Sequence, residues 1–525
     1  MEDRRYELAV GVNSFEEIMA QKSPYVDKTS YLAAMIASER PVWFFTRPHG
    51  FGKSLTVSTL EAVFTKEKRE LFQGLAIYSR LAEEKFHPRP VIRLDMSRPS
   101  SAKGAKELWA SLGREIARKA NELGLAVDPK LSPEAMISSL IIKLAENSGR
   151  KVAILIDEYD SPFKALGDQP KEKALLTKAM GDFYAIFNKL DKYISFIFVT
   201  GMVKEYLSDI VPIFNPDLSP DISIDPGYGA LGGFTPEEVT KYFGQGLQRV
   251  AATLKMTEPE LVAKLEDYYW GFCFDGETRV FSPWDILLFF ERSDFFPYWF
   301  YAGWEEVLAD ILKERRLTVW EFRDLTVTPK FARNPGVFAA TDPLSLFYQV
   351  GYLSLRPGPM AGVYRLDYPN QAVLRSLAED WVYNIPGRSS AKARFKKLRA
   401  ALDSGNAALV MRIFNQFLDN LSADDYPAAL AKQNDPPLDM ERDRWFYWSA
   451  LLTLIVAAGL EVGAGDKASS GARIIAVKRG DLIWVIELLV RPIGPNELNA
   501  SPQNRAEVRA KPYPAQPKNP SNDGL

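Results

Sequence analysis

Three consecutive residues, Gly52, Lys53 and Ser54, have the types that hold a phosphate chain. Glycine lets backbone approach a phosphate closely, lysine places a charge on the β- and γ-phosphates, and a hydroxyl ligates Mg²⁺. They close the stretch TRPHGFGKSLT (46–56), where Arg47 stands in place of the first glycine of the general pattern G-x-x-x-x-G-K-[ST]. Arg47, Gly50, Gly52, Lys53, Ser54 and Leu55 form the candidate nucleotide-binding set. The same letters also suit an ordinary strand-to-helix turn with a solvated lysine. A second motif counts against that alternative: KVAILIDEYD runs from apolar residues into Asp157 and Glu158. An aspartate at a strand's carboxyl end can hold Mg²⁺, and a glutamate beside it can polarise an attacking water. Thr200, ending FIFVTG, is placed to hydrogen-bond that water or the γ-phosphate, and Lys204 to add positive charge nearby.

These residues need a strand, a tight turn and a helix whose positive end faces the phosphates. PVWFFT (41–46) reads as the strand and SLTVSTLEAVF as the helix. Further β-rich runs at 90–97, 151–158 and 193–201 alternate with helix-like segments at 103–123, 133–147 and 171–189. Such alternation predicts an α/β domain with a mostly parallel sheet covered on both faces. Residues 203–232 are rich in proline and glycine and read as a long ordered loop. Thr235, Pro236 and Glu238 then spell a helix start. The aromatic-heavy stretch to about residue 334 reads as a small helical domain. Strand-like runs return at 472–478 and 481–490, and the Pro/Asn-rich residues 491–525 are expected to be disordered.

The chain of 525 residues is too long for one core, and roughly three domains are expected. Its apolar fraction of 46% and charged fraction of 25% are those of an ordinary globular protein. A net charge of −2 gives no global field toward nucleic acid or membrane. The single cysteine, Cys273, excludes an internal disulfide framework and reads as a buried apolar thiol. The first residues lack the apolar core of a signal peptide, and WSALLTLIVAAGLEVGAG is too short to cross a membrane. A cytoplasmic protein without membrane contact is expected.

RPHGFGKSL, YVDKTSYL (25–32), LIDEYDSP (155–162), VTGM, DISIDPGYGALGGFTPEEV (221–239), YYWGFCF and SPWDIL together resemble a family of bacterial and archaeal AAA-ATPase-like proteins. The resemblance runs in order along nearly the whole chain. It implies ATP and Mg²⁺ as ligands and makes Arg47 normal for the lineage, whose P-loop typically reads R-P-R-R-F-G-K-S. His49 and Gly50 replace two arginines there, which removes positive charge beside the phosphates.

In this family a PD-(D/E)xK nuclease-fold domain commonly follows, and its chemistry needs a helix glutamate, a strand aspartate and a Glu-x-Lys. Glu441 matches the first and Glu487 the third, but the aspartate falls on Ile475 and the lysine on Leu489. Asp481 begins its strand some 20 Å from Glu487, at about 3.3 Å rise per residue, too far to substitute. The resemblance therefore implies a nuclease-like module without phosphodiesterase activity. The expected domains are 1–232 (P-loop), 233–334 (helical), 335–490 (nuclease-like) and 491–525 (tail). The leading expectation is a Mg²⁺-dependent ATPase; the alternatives are a non-hydrolysing nucleic-acid-binding or scaffolding protein and a residual DNA nuclease. Partners beyond ATP would be DNA or another protein, and related ATPases often act between subunits, as homo-oligomers do.

Overall fold

The computed structural model describes residues 8–97, 104–166, 169–204, 221–301, 308, 310–312, 317–328, 330–331, 343–360, 362–383, 391–419, 421, 440–467, 473–490 and 506–514. The chain divides into two compact units, Met1–Tyr298 with Asp324–Asn370, and Trp299–Arg323 with Gln371–Leu525.

In the first unit β1 (Val42–Thr46), β2 (Val91–Asp95), β3 (Val152–Asp157) and β4 (Ile194–Gly201) form a parallel sheet in the order β1-β4-β3-β2. Every residue of β1 and β3 is buried, which explains why these runs carry no polar alternation. Helices α1 (Phe15–Gln21), α2 (Thr29–Ala37) and α3 (Lys53–Phe64) share one core with the sheet. There Val57, Leu60 and Phe64 of α3 meet Phe45, Leu155 and Phe198. Helices α4 (Ala105–Glu122), α5 (Pro133–Ser148), the short α6 (Ser161–Ala165) and α7 (Pro170–Lys189) follow. In α4 the buried Leu108, Leu112, Ile116 and Ala120 recur every four residues and make the apolar stripe that packs inward. This is an α/β fold, a four-stranded parallel sheet flanked by helices.

Two more helices in this unit begin with reciprocal caps: α8 (Pro236–Leu254) with Thr235 and Glu238, α9 (Glu258–Tyr269) with Thr257 and Glu260. Strands β5 (Trp270–Cys273) and β6 (Arg279–Phe281) pair antiparallel ahead of α10 (Pro283–Arg292). Strands β7 (Leu325–Val327), β8 (Ser354–Pro357) and β9 (Tyr364–Asp367) form a second antiparallel sheet, with α11 (Pro343–Gln349) before β8. The aromatics here are core, as in the Phe243–Phe290 stack at 5.3 Å between centroids. Cys273 is buried, and burial pushes its thiol up to about 12. Residues 233–298 thus lie in the same compact unit as the parallel sheet, so the expected boundary at 232 does not divide the chain. Of the predicted loop 203–232, residues 205–220 lie outside the described residues.

The second unit holds α12 (Gln371–Tyr383), α13 (Ala391–Asp403), α14 (Ala407–Asp419) and α15 (Met440–Ala457). Its sheet, β10 (Val462–Lys467), β11 (Arg473–Arg479), β12 (Leu482–Val490) and β13 (Ala506–Pro514), is antiparallel in that order. The apolar run predicted as a buried helix is α15, with Leu451, Leu454 and Ile455 fully buried. Among the described residues no helix is long and apolar enough to cross a membrane. The expectation of a disordered tail fails at 506–514, which pairs residue for residue with β12. Backbone pairing together with burial of Val508 and Ala510 outweighs a composition poor in apolar residues.

Candidate functional site

The chain leaves β1 at Thr46 and reaches α3 at Lys53 through a turn that uses two left-handed residues, Gly50 (φ +78°) and Gly52 (φ +71°). Gly52 is the helix N-cap and offers no side chain, which leaves first-turn N–H groups of α3 for an outside acceptor. Gly50 has a second constraint. A Cβ there would lie 2.7 Å from Cβ of Trp284, so the turn is pressed against the start of α10. His49 meets the same indole edge-on at 5.9 Å, and burial, then the neighbouring Lys53 charge, holds its imidazole below the usual range. Neither His49 nor Gly50 stands as a cation beside the loop.

Lys53 is 5% exposed and donates from Nζ to the Pro48 carbonyl at 3.1 Å, within the loop it must serve. The same Nζ lies 3.8 Å from Glu158 Oε1. Glu158 follows the last residue of β3 in a left-handed conformation (φ +54°) and accepts from the Ser161 hydroxyl at 3.1 Å. Asp157, 3% exposed, sits below it with Oδ1 lacking a hydrogen-bond partner. Burial raises its carboxyl above the usual range, opposed mainly by a hydrogen bond from Ser54. Strand β4 lies between β1 and β3, and its pairing places Thr200 beside Phe45. Ile156 pairs with Val199, so the next residues, Asp157 and Thr200, lie side by side at the carboxyl ends of neighbouring strands. Thr200 is fully buried and its hydroxyl makes no hydrogen bond. Sequence positions 53, 54, 157, 158 and 200 are therefore brought to one place.

A cleft of about 450 Å³ opens over this cluster, within the size range of small-molecule sites. Residues 49–55 line it together with Glu158. The rest of the lining is mostly apolar and includes Val12, Pro24, Tyr25, Val26, Phe234 and Trp284. Lys28 borders it and donates to both Glu238 oxygens at 2.6 Å, which ties the N-terminal segment to the capped start of α8. Sequence reasoning assigned no role to these wall residues. The signal was present in YVDKTSYL and SPWDIL, whose order along the chain gives no hint that they face one another across a cleft.

Two expected members stand elsewhere. Arg47 is 1% exposed and turns inward, donating to the carbonyls of Thr46 (3.0 Å) and Ser223 (2.6 Å). Its guanidinium stacks over Phe45 and Phe274 at 4.8 and 4.5 Å, and burial lowers its pKa to about 10. It braces the loop from behind instead of lining the cleft. Lys204 is held by Asp221 at 2.5 Å, beside Arg47 and away from Lys53 and Glu158. Both lysine and arginine follow the ends of their strands, where the chain turns and strand alternation no longer fixes the side-chain direction.

In the second unit, β12 alternates in burial, with Trp484, Ile486 and Leu488 inside and Glu487 and Leu489 on the half-exposed face. Ile475 pairs with Ile486 and is fully buried, so it faces away from Glu487, whose partners are Ile474 and Arg509. Positions 475 and 487, matched to the family's two strand acids, thus lie on opposite faces of the sheet. The side chain of Glu441 lies outside the described residues. Among the described residues no three His, Cys, Asp or Glu side chains converge to hold a metal.

Residues 9–211 match the AAA-ATPase-like family, described as "Predicted AAA-ATPase". A protein of Azotobacter chroococcum mcd 1, described as an uncharacterized protein in the vnfD 5′ region, is 27% identical over 499 residues, 94% of this chain and 90% of that one. Among solved structures, the Aeropyrum pernix ORC2 protein in ADPNP–ADP complexes aligns over 88% of this chain and 90% of its own, at 11% identity and a TM-score of 0.26. Drosophila ORC bound to GC-rich DNA and Cdc6 aligns over 84% of this chain and 61% of its own, at 11% identity and a TM-score of 0.25. Structural likeness at that level bears on neither fold nor activity.

Proposed function

We propose that the cleft over Lys53 binds ATP as its Mg²⁺ complex and that Glu158 directs its hydrolysis. The observation that carries this reading is that Lys53, Ser54 and Glu158 line a largely apolar cleft, with the buried Asp157 and Thr200 directly behind them at the ends of the adjoining strands. The family match of residues 9–211 supports nucleotide binding. The uncapped first turn of α3 and Lys53 would take the phosphates. The donors fit a hard cation: Ser54 offers a hydroxyl and Asp157 a buried carboxylate oxygen without a partner. Two protein oxygens leave the remaining positions to phosphate and water, as Mg²⁺ prefers. When bound, the ion would neutralise charge on the β- and γ-phosphates. Glu158 is a quarter exposed at the cleft's edge, where a water can reach it and be oriented for in-line attack. Its ion pair with Lys53 would loosen as the lysine turns to a phosphate, which frees the carboxylate for that role. The wall of Val12, Tyr25, Val26 and Phe234 suits the flat face of a base.

The nuclease-like module expected over residues 335–490 is read as lacking phosphodiesterase activity. This rests on Ile475 and Leu489, which supply neither a ligand nor a charge, and on Ile475 facing the core.

Titration of the full chain with labelled ATP tests the reading. Wild-type protein should bind in the presence of Mg²⁺. Lys53→Ala should weaken binding by at least about 100-fold, because a buried charge contact of this kind is worth roughly 3 kcal/mol or more. Absence of binding by wild type at millimolar ATP would sink the proposal. Turnover with and without DNA, and a cleavage assay with Mg²⁺ and Mn²⁺, separate ATPase from nuclease.

A further inference from the structure

We propose that Arg93 is a positioning residue for Asp157: a resident cation that occupies the carboxylate until the metal arrives and thereby sets how much Mg²⁺ nucleotide binding requires. The inference rests on the nucleotide reading of the cleft. Arg93 lies on β2, paired with Leu155, two residues before Asp95, which pairs with Asp157. Alternation puts Arg93 on the face where Val91 and Leu155 join the α3 core, while Ile92 and Leu94 face the other way, fully buried. An arginine there is unexpected, since the surrounding positions are hydrocarbon.

Its two terminal nitrogens explain it. Nη1 donates to Glu61 Oε2 at 3.2 Å, and Nη2 lies 3.9 Å from Asp157 Oδ2. Glu61 sits two turns after Ser54 on α3 and is also 3.7 Å from Lys119 of α4. The guanidinium thus bridges two carboxylates, one at the phosphate site and one a step behind it. Arginine cannot shed its charge, so it offsets the desolvation of Asp157 in the absence of any other cation. A divalent cation on Asp157 and Ser54 would compete with Nη2 for the same carboxylate. Glu61 gives the guanidinium a second anchor, so that yielding Asp157 does not strand it.

The readout is the Mg²⁺ concentration at half-saturation of binding, measured with a fluorescent ATP analogue on the full chain at fixed nucleotide. Arg93→Gln should lower it by about threefold to tenfold, the size expected when one partly screened charge leaves a carboxylate. Binding at saturating Mg²⁺ should change by less than about twofold, since the guanidinium touches no lining residue of the cleft. Glu61→Gln should move the requirement the opposite way, because Arg93 then has Asp157 alone. A purely structural role would alter thermal stability and leave the Mg²⁺ requirement unmoved. An unchanged or raised requirement in Arg93→Gln overturns the proposal. Should that variant fail to fold, an unchanged requirement in Glu61→Gln does the same. No binding by wild type at any Mg²⁺ concentration is a different result and removes the nucleotide reading itself.

Discussion

At the carboxyl end of the parallel sheet, Asp157 is buried among Ser54, Lys53 and Arg93. On the antiparallel sheet of the second unit, Glu487 stands half-buried between Ile474 and Arg509, and the position expected to be its acidic companion is the core residue Ile475. Keeping a carboxylate out of water is costly unless cations or donors surround it. The first unit maintains such surroundings; in the second, Ile475 lies in the core and Glu487 on the half-exposed face. A buried acid kept with its cations marks a working site more reliably than the mere count of acidic residues.

The contrast can be broken most sharply at Glu158. Glu158→Gln should leave ATP binding intact and reduce turnover by about 10² to 10⁴, the range for loss of a positioned base; equal loss of binding and turnover would contradict its assignment. In the second unit, Ile475→Asp should cost roughly 3 to 5 kcal/mol by burying an unpaired charge, whereas Leu489→Lys on the half-exposed face should be nearly neutral. Urea midpoints measure both, and the double variant should still not cleave DNA, because positions 475 and 487 face opposite sides.

A third acid sharpens the rule. Asp285, in the first turn of α10, is buried, and burial, opposed by a hydrogen bond from the Ser282 side chain, pushes its carboxyl up to about 7. Its folded value exceeds the ordinary 3.8, so its contribution to stability is full below about pH 4 and is lost as pH rises through 7. Asp160, raised to about 6 by burial, acts in the same direction. Asp285→Asn should flatten the decline between pH 4 and 7 by about 2 to 4 kcal/mol, seen in denaturant midpoints across that range. An unaltered pH profile would show that this carboxyl is hydrated or paired in solution.

Strand runs and the P-loop turn were readable in the sequence because local patterns dictate them: β1 to β4 fall within a residue or two of the apolar runs. The positions of Lys53, Ser54, Asp157 and Glu158 followed for the same reason. Arg47 and Lys204 were misplaced, because spacing cannot tell which way a side chain turns after its strand has ended. Arg93 was invisible, since its meaning comes from an acid 64 residues later and a helix packed above it. The grouping of residues 233–298 with the parallel sheet likewise depends on contacts no local window contains.

Strand β13 carries a consequence for solubility. Its neighbour LIWVIELLV has the apolar, β-branched character of a segment that templates aggregation when its edge is bare. Residues 506–514 occupy that edge along all nine residues of the strand, and bring Arg509, Lys511, Pro512 and Pro514 to the next one. Charges and prolines are what make an edge strand a poor template for further pairing. The composition that suggested disorder is thus suited to a protective rim. Deleting 506–514 should leave the cleft over Lys53 chemically complete but drive the chain into inclusion bodies or fibrous aggregates, measurable as the soluble fraction on expression and by thioflavin fluorescence.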